Sequence, residues 1–152
     1  MIQKKELAKQ AFYNGYNCAQ TVLKSFKNEF DFDDVMAMGM SAGFGGGMGK
    51  MQKTCGAVTG AFMVLGLYCA QKYSDNIMIK QETGTMSAAF HQKFLELNNT
   101  SNCIELLKTS LNTREGKKYY DQQNLRQKVC QKCIYDAIDI VEGIIKKDKK
   151  DL

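Results

Sequence analysis

The stretch GFGGGMGKMQKTCGAVTG, residues 43–60, joins a glycine-rich segment to a run of small residues around one cysteine. Five glycines fall within residues 43–49, and each destabilises a helix by about 1 kcal/mol relative to alanine. We therefore predict a loop there, followed by a helix over residues 54–73. Two sets of residues on that helix are expected to face neighbours: a smooth strip of Gly56, Ala57, Gly60 and Ala61, and an apolar face of Val58, Phe62, Leu65 and Cys69.

Apolar residues recur at helical spacing on both sides of this stretch, whereas alternation typical of strands is rare and proline is absent. Residues 112–121 are polar and predict a loop or irregular helix. We expect an all-α fold, a compact bundle of about five to seven antiparallel helices forming a single domain over residues 1–152. The further helices are predicted over residues 2–13, 18–30, 33–41, 76–97, 102–109 and 123–147, with Gly15 ending the first and Asn17 and Ser101 as N-caps. Their expected core residues are Leu7, Ala8, Ala11, Phe12, Val22, Leu23, Phe26, Phe30, Met86, Ala89, Phe90, Phe94, Leu97, Val129, Cys133, Ala137, Ile140, Val141 and Ile144.

Composition limits the function classes. A hydrophobic fraction of 44% and a charged fraction of 24% are typical of a globular domain. The net charge of +5 is spread without a basic cluster, so we expect no nucleic-acid binding. The longest apolar run, residues 56–70, is shorter than the ~20 residues of a membrane span, and the first ten residues lack a signal-peptide core. We expect a cytoplasmic protein without a membrane span.

Six cysteines in a reducing compartment favour redox chemistry, metal binding or simple burial over a disulfide framework. Cys55 follows the glycine loop at a helix start, where backbone N–H groups and the helix dipole favour the thiolate. Lys50 and Lys53 add positive charge nearby. Cys55 is therefore the predicted reactive thiol, although a small core residue beside glycines is the alternative.

Cys18 also falls at a predicted helix start, so the same dipole argument applies to its thiol, with simple packing as the alternative. Cys103 lies near a third predicted helix start, and random core placement would seldom put three cysteines at helix starts. Cys130 and Cys133 form a C-x-x-C pair on the last helix, where i, i+3 spacing allows a shared disulfide or metal. Cys133 also fits the core stripe of that helix. A zinc ribbon would need a second such pair, which the chain lacks.

Several other features have simpler explanations. Cys69 lies on nearly the same face of the predicted helix as Cys55 but about 21 Å further along it, so the two thiols cannot bond each other. Cys69 is expected to be a buried apolar residue. His91, the single histidine, is expected to be satisfied locally rather than to act as a base or ligand. The glycine loop lacks phosphate-binding spacing, so we expect it to allow close approach around Cys55, with small-anion or cofactor binding as the alternative. Core filling is the expected role of Met36, Met38, Met40, Met48 and Met51.

These motifs together resemble the C_GCAxxG_C_C family of redox-active proteins. The matching residues are the run GYNCAQ at 15–20, GMG at 47–49, CGAVTG at 55–60, Cys103 before ELL, and Cys130 before YDA. The resemblance implies that Cys18, Cys55, Cys103 and Cys130 are the four characteristic cysteines and that Cys69 and Cys133 are additional. It also implies a redox role, without specifying the reaction.

Three hypotheses follow. In the first, Cys55 is the nucleophile of a thiol redox protein that needs no cofactor, and another family cysteine resolves it into a disulfide. Cys103 and Cys130 could then pair with each other, and the partner is a redox protein or a small thiol or oxidant. In the second, Cys18, Cys55, Cys103 and Cys130 bind zinc or an iron–sulfur cluster. In the third, the cysteines only pack in a helical core. The oligomeric state is left open.

Overall fold

A computed structural model of the protein describes residues 3–152. Their regular structure consists of nine α-helices and one π-helical segment, without a β-strand among them, which confirms the all-α prediction. Ile2, at the predicted start of the first helix, lies outside the described residues. The helices are α1 (Lys4–Tyr13), α2 (Cys18–Ser25), α3 (Lys27–Phe30), α4 (Asp34–Ala42), α5 (Gly56–Lys72), α6 (Asn76–Asn98), α7 (Cys103–Leu107), α8 (Arg114–Gln122) and α9 (Lys132–Lys150). The π-helical segment is Arg126–Gln131.

The helix ends follow local sequence signals. Gly15 has a φ of +94° just beyond α1, a left-handed conformation that favours glycine and ends the helix as predicted. Asn17 caps α2, accepting from the N–H of Gln20, whose side chain in turn accepts from the N–H of Asn17. Asp33 caps α4 by accepting from the N–H of Met36 at 2.8 Å. These caps fix where the chain enters each helix.

The structure corrects three predicted boundaries. The helix expected over residues 18–30 breaks at Phe26, whose φ of −100° and ψ of 7° lie outside the helical region. Asn102, rather than Ser101, is the N-cap of α7, and that helix ends at Leu107. Residues 112–121, predicted as a loop or irregular helix, contain the regular helix α8, which Thr113 caps by accepting from the N–H of Gly116. None of the residues of α8 is buried.

Helix α5 forms the centre of the bundle, packed between α2, α6 and α9. Its smooth strip has the predicted role. A Cβ atom on Gly60 would lie 2.7 Å from the carbonyl oxygen of Ala19, and one on Gly56 would lie 2.9 Å from the nitrogen of Ala19. Helices α2 and α5 therefore approach backbone to backbone, which brings their N-terminal ends together.

Most of the predicted core is buried, with a few corrections. Ala89 and Leu97 are exposed, because α6 lies at the edge of the bundle and buries only the stripe of Met86, Phe90 and Phe94. Leu7, Phe62, Val129 and Ile144 are only partly buried. Core filling holds for Met38 and is wrong for three methionines that are exposed, Met36, Met40 and Met51.

Within residues 3–152, no helix is both long enough and apolar enough to cross a bilayer.

Candidate functional site

Five of the six cysteines line one cavity of about 500 Å³. This thiol cavity is formed where the N-terminal ends of α2, α5, α7 and α9 meet the glycine loop and the π-helical segment. All six cysteines are free thiols. The cavity thiols are Cys18, Cys55, Cys103, Cys130 and Cys133.

The packing of α2 on α5 places the first two thiols. Cys18 is the first residue of α2 and Cys55 is the N-cap of α5. A Cβ atom on Gly56 would lie 3.0 Å from the Cβ of Cys18, so only glycine at this position lets the two helix starts come this close. The side chain of Asn17 also donates to the carbonyl of Ala42 at 2.9 Å, which links the start of α2 to the end of α4, directly before the glycine loop.

A short antiparallel pairing places Cys103 next to Cys55. The N–H of Cys55 donates to the carbonyl of Ser101 at 2.7 Å, and the N–H of Cys103 donates to that of Lys53 at 2.7 Å. Gln52, which is buried, extends this pairing by bonding to the backbone of Thr109 and Leu111. The segment that follows the glycine loop therefore holds α7 against the start of α5.

The π-helical segment brings the last two thiols to the cavity. Cys130 lies within it, and Cys133 is the second residue of α9. Arg126 anchors the segment to the end of α1, donating to the carbonyls of Phe12 at 2.6 Å and Tyr16 at 3.4 Å. Its guanidinium also stacks on the Phe12 ring, 3.7 Å from the centroid. Single π turns are frequent at functional sites. Here the π-helical segment contains Cys130, which lines the cavity.

Cys18 and Cys130 form the outer pair, since both are half-buried. The Cys18 thiol donates to Cys130, and this bond, the hydroxyl of Tyr120 and the charge of Arg126 together lower the pKa of Cys130 to about 7 against the opposing effect of burial. The Tyr120 oxygen lies 3.8 Å from the Cys130 sulfur. The same bond, with burial, raises the pKa of Cys18 well above its ordinary value. One thiolate and one thiol therefore face each other at physiological pH.

Cys55 and Cys133 form the inner pair, and both are buried. Donation by the Cys133 thiol lowers the pKa of Cys55, burial opposes this, and the N–H groups of Ala57 and Val58 lower it further. The pKa of Cys133 is raised for the reciprocal reason. Asn98 Oδ1, 3.9 Å from the Cys133 sulfur, is a second acceptor for its single proton. A thiolate at Cys55 outcompetes that neutral amide oxygen, because hydrogen bonds to a charged acceptor are stronger.

The thiol of Cys103 is only weakly acidic. Burial, together with the negative charge that Cys55 and Cys130 can carry, raises the pKa of its thiol to about 12. A hydrogen bond with Gln52 opposes this only partly. Cys103 is therefore a neutral thiol in the wall of the cavity.

The structure brings all four predicted site residues together and adds Cys133, which the sequence analysis set aside. The C-x-x-C spacing was the signal that could have included Cys133. Its two thiols have different partners in this conformation, Cys18 for Cys130 and Cys55 for Cys133. The Cys130–Cys133 and Cys103–Cys130 pairings stay predictions.

A position at a helix start does not by itself lower the pKa of a cavity thiol. Cys18 and Cys103 both lie at helix starts, and the pKa of each is raised. The lowered pKa predicted for Cys55 is confirmed in direction, but its main cause is Cys133 rather than Lys50 or Lys53. Neighbouring thiols therefore dominate the ionisation of this cluster.

Two other residues lie away from the cavity, as predicted. Cys69 is fully buried against Met86, with its sulfur 3.8 Å from the Met86 sulfur. His91 is satisfied by the Ser101 hydroxyl at 2.9 Å. Among the described residues, no group of three or more His, Cys, Asp or Glu side chains is arranged to hold a metal ion in this conformation.

The role of Tyr120 leads to a testable prediction. In Tyr120→Phe, we expect the inflection in the pH dependence of Cys130 alkylation to move upward from about 7. The shift should be about one pH unit, because a hydrogen bond to a charged group contributes about 1.5 kcal/mol and one pKa unit corresponds to about 1.4 kcal/mol. Tyr119→Phe is the matched control, since Tyr119 is an exposed neighbour that does not line the cavity. Identical profiles for the two variants would contradict the assigned bond.

The fold and the site together define an all-helical protein in which helix N-terminal ends gather free thiols around one cavity. The chain belongs to the family described as "Putative redox-active protein (C_GCAxxG_C_C)", whose model matches residues 16–144. That range covers all five cavity thiols. Comparison with curated proteins and with solved structures found no match.

Proposed function

We propose that this protein is a thiol–disulfide redox protein whose outer pair, Cys18 and Cys130, exchanges electrons with an external partner. The observation that carries the proposal is the contact between these two half-buried thiols of opposite acidity. A thiolate is the nucleophile in disulfide exchange, and a thiol whose pKa lies near the ambient pH attacks best. Cys130 meets this condition, so the first attack is assigned to Cys130 rather than to Cys55.

The exchange proceeds in two displacements. The Cys130 thiolate attacks a disulfide RSSR, the S–S bond of RSSR breaks, and one RS⁻ leaves while Cys130 is held in a mixed disulfide. Cys18 loses its proton and attacks the Cys130 sulfur, which releases the second RS⁻ and forms the Cys18–Cys130 disulfide. Cys18 supplies one proton and solvent supplies the other, so both leaving thiolates become thiols. RSSR gains two electrons and the protein loses two.

The inner pair supplies a second two-electron store. Cys55 has a lowered pKa and a thiol partner in Cys133, but it is only 6% exposed. The charge of Cys130 raises the pKa of Cys55, as expected of sulfurs that share one cavity. We infer that Cys55 reduces the outer disulfide from within and forms Cys55–Cys133, so that both cysteine pairs can be oxidised in sequence.

Stepwise oxidation with peptide mapping tests this order. Reduced protein would be treated with one and then two equivalents of a neutral disulfide, and the free thiols alkylated. After the first equivalent, we expect early quenching to trap Cys18–Cys130 and later quenching to find Cys55–Cys133 as well. The second equivalent should complete both bonds, and Cys69 should stay free throughout. Cys103→Ser is the matched control and should form both bonds. A Cys130–Cys133 or Cys103–Cys130 bond as the main product would contradict the proposal.

The competing function is a metal or iron–sulfur centre, which the gathering of five thiols at one cavity also favours. Elemental analysis of protein purified without oxygen separates the two functions. One tightly bound metal or cluster per chain, with four thiols protected from alkylation, would support the centre and overturn the redox assignment.

A further inference from the structure

Positively charged side chains line the thiol cavity, and no carboxylate is among its lining residues. Lys50, Lys117 and Arg126 line it, whereas its lining contains neither Asp nor Glu. The ion pairs found among residues 3–152 involve other cations. Arg126 uses one guanidinium nitrogen for the Phe12 and Tyr16 carbonyls, and the guanidinium has five N–H donors in all. A cleft lined by one sign of charge concentrates ligands of the opposite sign.

The glycine loop adds backbone donors to the same cavity. The N–H groups of Gly45, Gly46 and Gly47 donate to no acceptor within residues 3–152, although the neighbouring N–H groups of residues 48–53 all do. Gly46 and Gly47 have φ values of +62° and +70°, and left-handed residues in such turns form concave anion-binding nests. All three glycines line the cavity.

The cavity also has an apolar wall, which includes Leu106, Leu111 and Val129. At about 500 Å³ the cavity is in the range of 300–1,000 Å³ typical of sites for small organic ligands. An inorganic oxyanion would leave this wall without a contact. An organic anion satisfies the cations and the apolar wall together.

From this geometry we propose that the cavity binds a small organic disulfide carrying carboxylates, which is the oxidant that Cys130 attacks. The carboxylates would be held by Lys50, Lys117 and the glycine-loop N–H groups, and the S–S bond would face the outer pair. This inference rests on the proposed function and names its substrate class. In each turnover the S–S bond of the ligand breaks and the Cys18–Cys130 bond forms. Two carboxylate-bearing thiols leave with two electrons from the protein, one proton from Cys18 and one proton from solvent.

Three disulfides of similar size and different charge test the inference. They are 3,3′-dithiodipropionate with two negative charges, bis(2-hydroxyethyl) disulfide with none, and cystamine with two positive charges. The readout is the rate of Cys18–Cys130 formation in reduced full-length protein by stopped flow and quenched alkylation. Since a charged cleft raises association about tenfold or more, we expect the dianion to react at least about tenfold faster than the neutral disulfide, and cystamine to be slowest.

Variants locate the preference in the cavity. We expect Lys50→Gln with Lys117→Gln to reduce the ratio of the dianion rate to the neutral-disulfide rate from about tenfold toward one. The matched control is Lys53→Gln with Lys118→Gln, since both residues are exposed near neighbours that do not line the cavity. Arg126 is left intact because it also anchors the π-helical segment and lowers the pKa of Cys130. Circular dichroism would verify that each variant folds.

The outcomes distinguish the inference from the proposed function. Equal rates for all three disulfides, or an equal effect of the cavity and control variants, would overturn the anionic substrate while the thiol redox function stands. Failure of every disulfide to form Cys18–Cys130 would overturn the proposed function itself. Saturation by thiodipropionate, a dicarboxylate without an S–S bond, would support the anion site independently of redox chemistry, and its failure to bind would count against the site.

Discussion

In Cys130→Ser, we expect the rapid reaction of the reduced protein with disulfides at pH 7 to disappear, with a fall of at least about tenfold in rate. At this pH about half of the Cys130 thiols are ionised, since the pKa of Cys130 is about 7 rather than the ordinary 9.0. The pKa values of Cys18, Cys103 and Cys133 are all raised, so these thiols are almost fully protonated. Cys55 keeps a lowered pKa but is buried behind them.

The direction in which the reaction rate changes with pH follows from the lowered pKa of Cys130. Because the pKa of Cys130 is lowered, the wild-type rate should rise with pH through about 7 and then level off. Without Cys130 that inflection should be absent, and the rate should rise only at higher pH. Stopped-flow measurement from pH 5.5 to 9.5 would record both profiles.

Cys18→Ser separates attack from resolution. This variant keeps the nucleophile and should accumulate a stable mixed disulfide on Cys130, detectable by intact mass. Its inflection should move upward, because Cys18 is the main cause of the lowered pKa of Cys130. Cys69→Ser, in the core, is the control for loss of a cysteine and should retain the rapid reaction if it folds. Wild-type kinetics in Cys130→Ser would refute the assignment of the nucleophile.

In Gly47→Ala, we expect a loss of about 3 kcal/mol in the free energy of unfolding, of which left-handed strain contributes about 1–2 and overpacking about 1–3. Gly47 has a φ of +70°. An added Cβ would lie 2.6 Å from the Cα of Gln52 and 2.7 Å from the Cβ of Cys103. The backbone at Gln52 is paired with α7 and cannot move aside without breaking the bonds that hold Cys103 beside Cys55.

Gly49→Ala is the matched control for this variant. Gly49 has a similar φ of +60°, but the nearest atom to an added Cβ is the terminal methyl of Met51 at 3.8 Å. It should therefore lose only the strain contribution, about 1 kcal/mol. Urea unfolding of the reduced proteins, compared at equal slope, would measure both losses. Equal losses would show that the close approach of the loop to Cys103 has no energetic consequence.

Local patterns in the sequence predicted much of the scaffold. The apolar period located α1, α5, α6 and α9, and the predicted cap Asn17 located the start of α2. The segment of α8 was predicted only as a loop or irregular helix because it is polar and solvated. The π-helical segment was predicted as part of an α-helix because its residues fit an α-helical period equally well. Periodicity reports which face of a segment is buried, and it carries no information where no face is buried.

The sequence by itself determined that a glycine loop leads to Cys55, that a smooth strip on α5 admits a close neighbour, and that Cys18 begins a helix. Each depends on residues near one another in the chain. Only the tertiary structure decided that Cys18 faces Cys130, that Cys55 faces Cys133, and which thiol of each pair is the more acidic. The ionisation of a buried thiol depends on burial and on donors within hydrogen-bond reach, and here those donors come from distant segments that Arg126 and the α2–α5 contact bring together.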